Sequence, residues 1–85
     1  MSVVDIIEKV AKRMGLQLNI LPNGVVIVIK DGIAFVQISV VREVYYIRYL
    51  IKNEAYILRR LNEKTAELIL DEKLDETNAL KIPDV

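Results

Sequence analysis

Eighty-five residues make one small domain, a size at which a chain buries only about 60 to 65% of the surface it exposes when unfolded. The composition is 53% hydrophobic, lacks cysteine and histidine, and balances twelve basic residues with twelve acidic ones. Those counts exclude a disulfide framework, a thiolate nucleophile, a zinc cluster and an imidazole base, and they give no global pull toward a polyanion.

Residues 2–14 read as a helix. Ser2 and Asp5 form a start resembling a capping box, and Gly15 suits a left-handed stop. Val3, Ile6, Ile7, Val10 and Met14 share one face, while Asp5 with Lys9 and Glu8 with Lys12 are acid-then-base pairs four apart on the wet side. Residues 16–21 alternate as a strand, with Leu16, Leu18 and Ile20 opposite Gln17 and Asn19. Pro22-Asn23-Gly24 and Asp31-Gly32 are turn signals. Between them residues 25–29 are apolar on both faces, as a strand covered on both sides would be. Residues 33–38 make a third strand, with Ile33 and Phe35 facing one way and Ala34, Val36 and Ile38 the other.

From there the spacing predicts one long amphipathic helix over 40–70. Val40, Ile47, Ile51, Ala55, Leu58, Leu61, Thr65, Leu68 and Ile69 recur at three- and four-residue steps, with no Gly or Pro to interrupt them, and Ser39 is placed to cap the start. A strand is the rival for 40–51, which are rich in Val, Ile and Tyr and alternate in part. The unbroken helical period through 55–70 favours the helix. The opposite side of the wheel carries Arg42, Tyr45, Tyr49, Lys52, Tyr56, Arg59 and Glu63, with Arg60 at its edge.

The expected architecture is therefore α+β: a short N-terminal helix, a three-stranded antiparallel β-meander and a long C-terminal amphipathic helix, in the order αβββα. Residues 1–78 form the domain and 79–85 a tail, read as a frayed end or as an arm that docks on a partner subunit. Either the helices cover opposite faces of the sheet, or both cover one and the other meets a second subunit. So much apolar surface on so small a chain implies a homo-oligomer, most simply a two-fold dimer. The longest apolar run is too short to span a membrane and no charged leader precedes a signal-peptide core, so the expected location is cytoplasmic, without membrane contact. Abundant Ile, Val, Glu, Lys and Arg with few Asn or Gln give a thermophile-like composition.

Charge is unevenly placed, with five basic and two acidic residues over 42–60, and three basic and seven acidic over 61–85. The carboxylate pairs Asp71-Glu72 and Asp75-Glu76 lie in a polar stretch without an apolar pocket to raise a pKa. Ser2, Ser39, Thr65 and Thr77 have no histidine to activate them. No catalytic residue, metal or cofactor is expected.

The element order resembles the core of many nucleases, but where those hold a metal with a Glu-x-Lys in the third strand this chain has Gln37-Ile38-Ser39. It also resembles a double-stranded RNA-binding domain, whose basic cluster at the second helix is here reduced to Arg42. The remaining lead is the stripe of Arg42, Tyr45, Tyr49, Lys52, Tyr56, Arg59 and Arg60. Tyr and Arg are enriched at protein interfaces, so protein contact ranks first. Nucleic acid, with arginines on phosphates and tyrosines stacked on bases, ranks second. The expected function is a non-catalytic, homodimerising protein-interaction module, and the alternative is a small nucleic-acid-binding regulator.

Overall fold

The computed structural model describes residues 3–83. Ser2 as a cap and Val85 as part of an arm lie outside them. The described residues form helix α1 (Val3–Arg13), strands β1 (Gln17–Ile20), β2 (Val26–Lys30), β3 (Ile33–Val41), β4 (Val44–Tyr49) and β5 (Glu54–Leu58), helix α2 (Glu63–Leu70) and strand β6 (Leu80–Ile82). Each strand pairs antiparallel with the next, in the order β1-β2-β3-β4-β5-β6.

The first half follows from local chemistry. The β1–β2 turn closes with Leu21 N–H on the Val25 carbonyl at 2.9 Å, and Gly24 takes φ +86°, a conformation that costs a residue without a Cβ little. Asp31 and Gly32 both have positive φ between the paired Lys30 and Ile33, as a tight hairpin requires. In β3 the register passes from Val28↔Val36 to Ile29↔Ala34, so Phe35 is the extra residue of a β-bulge. The bulge turns Phe35 and Val36 both into the core, where simple alternation would place them on opposite faces.

The second half overturns the αβββα expectation. The segment 40–70 is not one helix. It completes β3, makes the β3–β4 and β4–β5 hairpins, and becomes helical only at Glu63–Leu70. A helix of that length would run about 46 Å, whereas the longest extent of the molecule is 29 Å. As strands, 44–49 and 54–58 satisfy their backbone groups against β3 and against each other, with the β-branched and aromatic side chains such strands favour. The likenesses of element order to nuclease cores and double-stranded RNA-binding domains lapse with the long helix.

Asn62 caps α2. Its side chain accepts from Thr65 N–H at 2.9 Å, and the Thr65 hydroxyl accepts from Asn62 N–H at 2.8 Å, satisfying two of the donors a helix start leaves open. Beyond α2 the chain stays attached. Leu74 is buried, and Leu80–Ile82, within the segment set apart as a tail, pair with Ala55–Ile57 of the same chain.

Both helices pack on one face of the sheet. Ile7, Val10 and Ala11 of α1 and Ala66, Ile69 and Leu70 of α2 join Val26, Val28, Val36, Ile38, Ile47, Tyr49, Tyr56 and Leu58 in one core. The helices also meet each other through ion pairs, with Lys9 Nζ and Arg13 Nη1 each 2.9 Å from Glu63, and Arg13 also bonded to Glu67.

Candidate interaction surface

The pairing register sorts every strand residue onto one of two faces, because directly opposed residues point the same way. On the helix-covered side one row runs Ile20, Val26, Ile38, Ile47, Tyr56, and another Leu18, Val28, Val36, Tyr49. On the other side one row runs Asn19, Ile27, Gln37, Arg48, Ala55, Ile82. Beside it lies Ser39, Tyr46, Ile57, Leu80, with Val41 opposite Val44 at one end and Gln17, Ile29, Ala34 at the other. None of these second-face residues belongs to the buried core cluster or packs against it. They are half-buried, apart from exposed Gln17, Asn19, Val41 and Leu80 and buried Ala55.

This second face is mostly apolar and carries one charge, Arg48. Among the described residues Arg48 has no ion pair or hydrogen-bonded partner. Its cross-strand neighbours are Gln37 and Ala55, and Tyr46 is the next residue of β4 on the same face. A guanidinium is weakly hydrated and presents a flat plane, which suits it to stacking at an interface.

The seven residues expected to form a helical stripe are dispersed by the strands. Tyr45, Tyr49 and Tyr56 turn toward the helices. Tyr49 is 1% exposed and donates its hydroxyl to the Ile69 carbonyl at 2.6 Å, Tyr56 is buried, and Tyr45 packs against the core. The Tyr49 and Tyr56 rings meet edge to face at 6.1 Å, a favoured aromatic geometry. Burial pushes the Tyr49 hydroxyl well above its usual pKa, with Glu72 adding to the effect. Burial also raises that of Tyr56, helped by its hydrogen bond to the Glu54 carboxylate.

The cations go to the ends of the sheet. Lys52, in the β4–β5 turn, lies 4.6 Å from the centre of the Tyr49 ring and 3.6 and 3.9 Å from Glu54 and Glu72. Arg42 is in the β3–β4 turn, and Arg59 and Arg60 follow β5 at that same end, opposite to Lys52. These three arginines are exposed and have no ion pair among the described residues. A shallow depression beside them is lined by Val44, Ile57, Arg59 and Leu80 and by the turn at 76–79.

The carboxylates are structural. The two nearby cations, Lys9 and then Arg13, hold the Glu63 carboxyl below its usual pKa through hydrogen bonds. Asp75 accepts from Thr77 and is likewise lowered, while Asn78 Oδ1 accepts from Asp75 N–H at 2.8 Å. Sequence reasoning placed none of Arg48, Tyr46, Gln37 and Ser39 on an interaction face. The signal was the two-residue period of 44–49, which places Val44, Tyr46 and Arg48 opposite Tyr45, Ile47 and Tyr49.

No protein-family model matches the chain, and neither the curated proteins nor the solved structures yield a match. No helix among the described residues is long and apolar enough to cross a membrane.

Proposed function

We propose that the protein is a small, non-catalytic module of the cytoplasm that self-associates as a homodimer and works through protein contact. The observation that carries this reading is the placement of both helices on one side of the sheet, which leaves the face bearing Ile27, Tyr46, Ile57 and Ile82 without a covering element among the described residues. Sheets in small domains are buried on at least one face, and an apolar second face is normally covered by another layer or by a partner. The chain offers no cysteine or histidine for chemistry, and its acidic side chains at Glu63 and Asp75 are spent on holding helices and a turn together. Sedimentation velocity or light scattering across the micromolar range tests the reading. A mass twice the 9.7 kDa of the chain is expected, and a single-chain mass at every concentration contradicts it.

A second reading has its own support. Arg42, Arg59 and Arg60 remain together at one end of the sheet, although the tyrosines have left them, so phosphate contact there is the form a nucleic-acid regulator would take. Binding of short DNA or RNA that weakens steeply with salt and is lost in Arg59→Glu would favour it. No binding at low salt would remove it.

A further inference from the structure

Building on self-association, we propose that two copies pack open face to open face, giving a sheet-on-sheet sandwich with helices outermost and each Arg48 set against Tyr46 of the partner subunit. The size of the face fits. Six strands at a spacing of about 4.8 Å, each about five residues long, present about 500 Å² per subunit, hence about 1,000 Å² for the pair, which reaches the lower bound for a specific interface. The surface chemistry fits a second copy better than a charged partner. A sheet face that is mostly apolar and carries a single charge is best matched by another of the same kind, and two such sheets interdigitate at a separation of about 10 Å.

Arg48 fixes the symmetry. A two-fold axis running across the strands through the Arg48 row would set guanidinium on guanidinium, which like-charge repulsion opposes. Moving that axis to lie between the Arg48 row and the Tyr46 row brings each strand over its own mate in reverse. Arg48 then lies over the phenol ring of the partner's Tyr46, and Gln37 over the partner's Ser39. A guanidinium over an aromatic face is a favourable contact once water is excluded, and the amide and hydroxyl give each other hydrogen-bonding partners. The arrangement supplies Arg48 with the partner it lacks among the described residues.

Ser39 lies beside Tyr46 near the middle of this face and is not part of the core, so Ser39→Lys sets a second cation beside the partner's Arg48 without removing a core contact. The expected result is a dimer for the unaltered chain, and for Ser39→Lys a monomer with unchanged far-ultraviolet circular dichroism and at least about 100-fold weaker association, the scale of a few kcal/mol for like charges brought together at an interface. Ile51→Ser, which removes a 69%-exposed side chain at the β4–β5 turn, is expected to stay dimeric. Tyr46→Arg and Tyr46→Phe form an independent pair, in which the first brings two guanidiniums together and dissociates the dimer while the second keeps it. That pair decides the matter if Ser39→Lys fails to fold. A folded Ser39→Lys or Tyr46→Arg protein that remains fully dimeric overturns the face-to-face arrangement and leaves self-association standing. A monomeric unaltered chain overturns self-association itself.

Discussion

Tyr49 joins sheet to helix at a single atom. Its hydroxyl reaches a carbonyl in the last turn of α2 at 2.6 Å, where helices leave acceptors unpaired. Tyr49→Phe is therefore expected to lower stability by about 1 to 2 kcal/mol, the cost of a lost buried hydrogen bond, in urea unfolding at neutral pH. The same residue sets the alkaline limit. Because its folded pKa is raised above the unfolded 10.0, the stabilisation is full below pH 10 and declines as pH rises beyond it, and Tyr49→Phe should flatten that decline. Glu63 sets part of the acid limit with the opposite sign. Its folded pKa is lowered from 4.5 by Lys9 and Arg13, so its contribution is present above pH 4.5 and is lost as pH falls through the lower folded value. Urea midpoints measured from pH 6 to pH 2 should fall less steeply in Glu63→Gln than in the unaltered chain, and equal slopes would remove Glu63 from the account.

At the level of elements, what was legible depended on the turns. Pro22-Asn23-Gly24 and Asp31-Gly32 announce their hairpins, and α1, β1, β2 and the first part of β3 lie where periodicity and turn chemistry place them, although β3 runs on to Val41. The β3–β4 turn announces nothing. Arg42 and Glu43 occupy it at φ +49° and +69°, a conformation that in two-residue hairpins belongs to Asn and Gly. With no breaker in view, apolar residues from two antiparallel strands fell into apparent helical spacing, and the tyrosines were assigned to a binding stripe although they pack beneath the helices. The strain left in the turn is open to test. Glu43→Gly should raise stability by about 1 kcal/mol in thermal or urea unfolding, since a left-handed residue with a Cβ costs about 1 to 2 kcal/mol and the added chain entropy of Gly returns only part of it. A loss of stability would contradict the turn geometry. The start of α2 was legible in Asn62 and Thr65, but an assumed helix running through them hid it.

For the whole molecule, the governing fact is asymmetry. An 85-residue chain that is 53% hydrophobic places one layer of helices on a six-stranded sheet, and among the described residues no helix lies on the sheet's other side. The excess of apolar composition was visible in the sequence, and so was the choice between helices on both faces and helices on one. That choice is made by Ile7, Val10 and Ala11 of α1 and Ala66, Ile69 and Leu70 of α2 burying themselves in one core, contacts across 50 or more residues that no local pattern encodes.

The most direct measurement is the accessibility of isoleucine methyl groups to a soluble paramagnetic probe, followed by nuclear magnetic resonance from low to high protein concentration. Ile7 and Ile69, beneath the helix layer, should be protected throughout. Ile27 and Ile57, on the open face, should be reached by the probe in dilute protein and become protected as the concentration rises. Protection of Ile27 and Ile57 at every dilution in a protein of single-chain mass would mean that the chain covers this face itself, and unchanged access at every concentration would mean that no second copy does; either result would contradict the account.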